Sequence, residues 1–142
     1  MTSTNPYLHF AGNTETAMTF YQTVFGGTFA IFQRYKDLPG GERMSRDEQN
    51  KIMHISLAIG NGIVIMATDA LESMGRQVNL GNNVYICLQA ESVEEVNRLF
   101  GELAVGGEVE MPLNETFWGA YFGMCRDKFG IHWMINHYII KN

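Results

Sequence analysis

Tyr7-Leu-His-Phe-Ala-Gly-Asn13, continued by Thr14 to Phe25 and then by Gly26-Gly27-Thr-Phe-Ala-Ile-Phe32, is a plan that the chain writes twice. The second copy runs Val84-Tyr-Ile-Cys-Leu-Gln-Ala-Glu-Ser92, then Val93 to Val105, then Gly106-Gly107-Glu-Val-Glu110. Each copy reads as strand, helix, glycine pair and strand. Asn13 and Ser92 are polar residues of the kind that cap helix N-termini, and Glu95, three residues after Ser92, suits a capping box. Ala17, Tyr21 and Val24 share one face of the first helix, with Phe20 and Phe25 beside it. Val93, Val96, Leu99, Phe100 and Leu103 do the same in the second, while Glu94, Glu95, Arg98 and Glu102 stay in water. Each helix stops at a Gly-Gly pair, where positive φ is freely available.

Outward from the two copies, further strands complete each unit. Phe29 to Tyr35 and Met53 to Ile59 are strand-like, and Asn61-Gly62 is a two-residue hairpin signal leading into Ile63 to Thr68. In the second half Glu108 to Pro112, Ala120 to Arg126 and His132 to Ile139 supply three more. The pattern is βαβββ, twice. It predicts one α+β domain of two modules, about residues 5–69 and 83–140, joined by a linker at about 70–82. Lys36 to Lys51 is polar, balanced in charge and contains Pro39-Gly40-Gly41, so it reads as a loop.

Composition sets outer limits. At 142 residues with 46% hydrophobic residues the chain suits one domain with a real core, not a disordered segment. A net charge of −5 argues against a nucleic-acid surface, and no apolar run reaches the roughly 18 residues of a membrane helix. The opening Met1-Thr-Ser-Thr-Asn-Pro6 has no basic or apolar export region. Cys87 and Cys125, far apart, read as reduced thiols, so a cytoplasmic location is expected.

Six stretches, in order, carry a family resemblance: Pro6 to Gly12, Phe20-Tyr21 with Phe25-Gly26-Gly27, Lys51 to His54, Met66 to Asp69, Thr116 to Gly119, and Asp127 to Gly130 followed by Trp133 to Asn136. On these the chain resembles the PhnB-like branch of the glyoxalase / bleomycin resistance / extradiol dioxygenase (vicinal-oxygen-chelate) superfamily. The resemblance implies a curved, open-barrel-like sheet built from both modules, the glyoxalase/bleomycin resistance/dihydroxybiphenyl dioxygenase fold, and a homodimer. In the active enzymes the pocket holds one divalent metal that acts as a Lewis acid on a substrate with neighbouring oxygens. Registering the strands on the same stretches places the family's metal positions at Pro6, Ile65, Tyr85 and Met134. None is a good ligand for a hard or borderline divalent ion. His9 lies three residues from Pro6, on the opposite face of the strand unless a bulge intervenes.

The ligand-pocket candidates are therefore His54, Asp69, Tyr85, Trp118, Tyr121, His132 and Met134. His54 rests on the resemblance. Asp69 reads either as a proton acceptor or as a turn cap bonding backbone amides. The aromatic residues offer large surfaces with polar handles, or ordinary core. Cys87 reads as a buried, inert thiol rather than a nucleophile. His132 shares strand parity with Met134, whereas His137 faces the other way.

The functional expectation is a small organic ligand in an apolar, aromatic-lined pocket, without the superfamily metal or another cofactor and with neither nucleic acid nor membrane as partner. The alternative is a metal-dependent lyase or dioxygenase with a displaced site at His9, His54 and Asp69. A second alternative is the methyltransferase label carried by PhnB-like relatives (3-demethylubiquinone 3-methyltransferase). It lacks a Gly-x-Gly-x-x-Gly turn after a strand, and both glycine pairs follow helices.

Overall fold

In the computed structural model, which describes residues 2–139, the repeated plan becomes two units divided after Asn79. The first contains β1 (Tyr7–Phe10), α1 (Thr14–Phe25), β2 (Phe29–Arg34), the short helix α2 (Arg46–Gln49), β3 (Ile52–Gly60) and β4 (Ile63–Asp69). The second contains β5 (Ile86–Gln89), α3 (Val93–Leu103), β6 (Glu108–Glu115), β7 (Ala120–Arg126) and β8 (His132–Tyr138). Each unit builds one open four-stranded mixed sheet, in the orders β1-β4-β3-β2 and β5-β8-β7-β6. The parallel pairs β1–β4 and β5–β8 lie at one edge, and the remaining neighbours are antiparallel. The expected α+β class with two βαβββ modules is what the chain forms.

Each helix covers one sheet face because its apolar stripe has nowhere else to go. Ala17, Met18, Tyr21 and Val24 of α1 are buried with Ile55 and Leu57 of β3 and Ile65 and Ala67 of β4. In the second unit Val96, Leu99, Phe100 and Leu103 of α3 are buried, as are Cys125, Trp133 and Ile135 of the sheet. Each large apolar side chain so placed contributes about 1.5–3 kcal/mol relative to exposure. That outweighs the small intrinsic preference for helix of sequences this short. Among the described residues, no helix is long and apolar enough to cross a membrane.

Four local expectations are corrected. Asn13 makes no side-chain cap; the first amide of α1, on Thr14, instead donates to Asp69 Oδ1 at 3.0 Å. The cap at Ser92 forms through Glu95 N–H, but the Glu95 carboxylate reaches back to the Glu91 amide, one residue before the expected partner. Residues 36–51 are not a plain loop. Two 3-10 turns, Tyr35–Asp37 and Gly41–Arg43, and α2 occupy them, with Ser45 capping α2 at the Glu48 amide. β6 also runs beyond Pro112 to Glu115; proline is tolerated there because β6 is an edge strand with register shifts on both sides of Met111.

Candidate functional site

In the first unit, side-chain alternation along β1 sends Leu8 and Phe10 toward the helix and Tyr7 and His9 to the uncovered face. Tyr7 is opposite Met66 and His9 opposite Thr68, while Ser56 of β3 is also opposite Met66. Two residues from Ser56, His54 shares this face. Tyr7 is the hub: its hydroxyl lies 2.8 Å from His54 Nδ1, and its ring centre is 5.5 Å from that of His9 and 5.4 Å from that of His54. Burial, reinforced by Tyr35, raises the Tyr7 phenol above its ordinary value, and Arg76 partly offsets this. A hollow of about 420 Å³ opens here, its wall made largely by Tyr7, Tyr35, Leu38, Met53 and Met74, with His9, Thr68 and Arg76 as polar contributors.

The uncovered face lies one residue out of step with the expected metal positions. Ile65 is fully buried beneath α1, and Pro6 accepts the Met66 amide through its carbonyl at 3.0 Å. A one-residue slip exchanges the faces of a strand. His9, expected on the far side from the site, is on the open face for that reason. Asp69 is corrected as a pocket candidate: it is 1% exposed, and its two oxygens accept the Thr14 amide at 3.0 Å and the Ile52 amide at 2.7 Å. The turn-cap reading of Asp69 describes what its carboxylate does.

In the second unit, Cys87 is opposite Met134 and Gln89 opposite Asn136 across the parallel pair. Arg126 is opposite His132, and Phe122 opposite Asn136. Tyr85, Cys87, Phe122, Arg126, His132 and Met134 thus share the face away from α3. Glu110 of β6 completes a polar group there. Its Oε1 lies 3.1 Å from His132 Nδ1, and its Oε2 accepts the Tyr85 hydroxyl at 3.0 Å. The Tyr85 and His132 ring centres are 4.9 Å apart. His132 and Arg126 also line a hollow of about 340 Å³ with Leu80, Asn82 and the backbone at Gly81 and Gly130.

Burial on its own would raise the Glu110 carboxyl; hydrogen bonds from His132 and Tyr85, with the charges of His132 and Arg126, outweigh it and hold Glu110 below the usual carboxylate range. Burial and the Glu110 contact raise the Tyr85 phenol. Because the folded Glu110 is the stronger acid, its contribution to stability is present above the ordinary carboxylate value and is lost as pH falls through the lowered folded value. Urea unfolding midpoints from neutral pH into the acid range should show this: Glu110→Gln loses the part of the native pH dependence that lies below the ordinary value. Parallel native and Glu110→Gln curves across that range would remove the linkage.

The other candidates divide. Tyr85, His132 and Met134 reach the open face. Tyr121 does not; its hydroxyl donates to Asn97 of α3 at 2.8 Å, on the helix side. Trp118 sits in the β6–β7 connection, 53% exposed, with its ring edge-on to Phe122 at 6.2 Å. Cys87 is exposed rather than buried, and burial of its sulfur by neighbours raises the thiol above its ordinary value. Cys125 is buried on the helix side and pushed up to about 12 by burial, Asp127 and Glu110, so neither thiol is poised as a thiolate. Glu110, Arg126, Tyr35 and Met74 were not singled out by the sequence. Only the polar alternation of Glu108-Val-Glu110 hinted at Glu110.

The residues do not fit the superfamily metal. On the uncovered faces the corresponding side chains are Tyr7, Met66, Tyr85 and Met134, two phenols bonded to His54 and Glu110 and two thioethers, and among the described residues no three His, Cys, Asp or Glu side chains gather as a shared ion requires. The displaced trio is broken as well, since Asp69 is on the helix side with both oxygens engaged.

A family model described as 3-demethylubiquinone-9 3-methyltransferase matches residues 2–136. Protein YjdN of Escherichia coli (strain K12) is 35% identical over 140 residues, covering 93% of this chain and 92% of that protein. Among solved structures, protein PA1353 from Pseudomonas aeruginosa is similar with a TM-score of 0.84 at 36% identity, over 96% of this chain and 98% of the other. A putative 3-demethylubiquinone-9 3-methyltransferase, PhnB protein, from Bacillus cereus is similar with a TM-score of 0.77 at 24% identity, over 96% and 99%. Proteins titled glyoxalase/bleomycin resistance protein/dioxygenase share the fold.

Proposed function

The chain belongs to the family described as 3-demethylubiquinone-9 3-methyltransferase, in the PhnB-like branch of the glyoxalase/bleomycin resistance/dioxygenase superfamily, and from that membership we propose that it binds a small organic molecule without the superfamily metal. The observation that carries the reading is the hollow of about 420 Å³ over Tyr7, Tyr35, Leu38, Met53 and Met74. Small-ligand sites combine an apolar wall with a few polar groups that fix orientation, and His9, Thr68 and Arg76 supply those here. Methionine adapts its shape to an irregular ligand.

The family's printed name implies methyl transfer, which needs a site for S-adenosylmethionine. This chain does not fit that group. Gly26-Gly27 and Gly106-Gly107 follow the C-termini of α1 and α3, so neither pair aims a helix N-terminus at a ligand, and both sheets are mixed rather than doubly wound and parallel. Sequestration requires no catalytic residue.

We further read the protein as a homodimer, since Ile31 and Phe32 on edge strand β2 are 42% and 41% exposed and such edges are ordinarily covered. Native mass spectrometry together with elemental analysis of the purified protein tests the whole reading. The expected result is a dimer mass that takes up small apolar organic compounds and carries no stoichiometric divalent ion. An ion bound one per chain and lost on His54→Ala would replace this reading with the metal-dependent lyase or dioxygenase, because His9 and His54 both pack on Tyr7. Methyl transfer would be restored by stoichiometric binding of S-adenosylmethionine.

A further inference from the structure

We infer that the hollow of the second unit receives a weakly acidic hydroxyl group, phenol- or enol-type, and that His132 Nε2 takes its proton. The inference goes beyond the small-molecule reading above, which concerns the hollow of the first unit, and gives the separate hollow of the second unit a chemical class and a proton acceptor of its own. Three observations carry it. The ring of His132 is only 8% exposed, yet it lines the hollow of about 340 Å³. Glu110 Oε1 stands at 3.1 Å from Nδ1, so the carboxylate accepts Nδ1–H and fixes the tautomer that leaves Nε2 with its lone pair free. Among the described residues Nε2 has no hydrogen-bond partner, and with Nδ1 engaged it is the nitrogen the ring offers to a ligand.

The surroundings are built for the charge that such a transfer creates. Glu110 is itself held by the Tyr85 hydroxyl at 3.0 Å, so it stands ready as the counter-charge to an imidazolium. The groups facing His132 are Glu110 from β6, Tyr85 from the chain leading into β5, and Arg126 directly across on β7. Arg126 lines the same hollow and places a positive charge beside the developing oxyanion. Its ion pair with Glu108, at 3.3 Å and exposed on both sides, is weak enough to share. In the step the ligand O–H bond breaks heterolytically: the electron pair stays on oxygen, the proton forms a bond to Nε2, and Nδ1–H remains on Glu110. No oxidant or reductant is needed.

The full chain titrated with 4-nitrophenol, whose ionisation is visible in its absorbance, tests this, with its methyl ether 4-nitroanisole as the control that lacks the proton. Bound 4-nitrophenol is expected to be ionised at a pH where the free compound is largely neutral, while nitrogen NMR shows Nε2 of His132 gaining a proton. His132→Gln should abolish the ionisation. Glu110→Gln, whose amide oxygen still accepts Nδ1–H but cannot balance the imidazolium, should keep binding and lose most of the ionisation. The NMR reading on the native chain stands even if a variant fails to fold. The inference is overturned if bound 4-nitrophenol stays neutral, if it ionises equally in His132→Gln, or if it does not bind beside His132. Both probes binding at Tyr7 and His9 with no response at His132 would overturn this inference and leave the small-molecule reading standing.

Discussion

Asp69→Ala is expected to lower the stability of the first unit by about 3–5 kcal/mol, with a melting temperature lower by roughly 15 °C or more. The carboxylate is 1% exposed and accepts two backbone amides that have no other role: Thr14 N–H at the first turn of α1, and Ile52 N–H at the start of β3. Each bond to an ionised acceptor contributes about 1.5–3 kcal/mol, and truncation leaves both donors buried and unpaired. The neighbouring Tyr35 hydroxyl, which donates to the Asp69 carbonyl at 2.7 Å, ties the same point to the wall of the hollow. Asp69→Asn should fall between, since the amide oxygen replaces one acceptor and its NH₂ meets a donor at the other. Thermal and urea unfolding of the three proteins check the order. Native-like stability in Asp69→Ala would mean that other groups satisfy the two amides.

The same residue shows where sequence reading reached and where it stopped. Helix α1 was legible to the residue, because its apolar period is strong and a glycine pair ends it. Its cap was not, because the capping carboxylate comes from Asp69, far along the chain, and local spacing points at Asn13 instead. The faces counted for Pro6 and Ile65 differ from the observed ones for a related reason. Motif counting fixes a strand only to within a residue, and β1 and β4 are both displaced by one from the count, so Pro6 and Ile65 exchange faces with Tyr7 and Met66. His132 was placed correctly by parity with Met134, since both lie on one strand. Glu110 was invisible as its partner because β6 meets β7 through irregular register, and only the folded sheet brings Glu110 to His132 and Tyr85. Tyr121 is a candidate only as an aromatic with a polar handle, and that character does not say which face of β7 is covered by α3. Fold follows from short-range periodicity, whereas the site depends on register between strands.

Gly107→Ala is expected to destabilise the second unit by about 3 kcal/mol or more, for a reason distinct from the helix stop that the sequence suggests. Gly106 does adopt positive φ, at 75°, in the turn that follows the Ala104 cap of α3. Gly107 does not have positive φ; it needs the missing side chain itself. A Cβ there would lie 2.0 Å from the Arg126 carbonyl oxygen and 2.8–2.9 Å from Asp127 backbone atoms. Those neighbours are backbone, held by the β6–β7 pairing of Glu108 with Arg126, so relief requires moving strands rather than a rotamer. The first unit repeats the device: a Cβ at Gly27 would lie 2.8 Å from the Ala58 carbonyl oxygen, and there φ is also positive, at 85°. In each pair the second glycine lets the departing chain pass close against a neighbouring strand. Displacement at Gly107 would also shift Arg126, and with it the cross-strand position of His132. Gly107→Ala should therefore lower the unfolding midpoint and blunt 4-nitrophenol ionisation together, whereas Gly106→Ala, strained only in φ, should cost about 1 kcal/mol and leave the probe response intact. Equal losses in the two variants would show that left-handed backbone, not close approach, governs the pair.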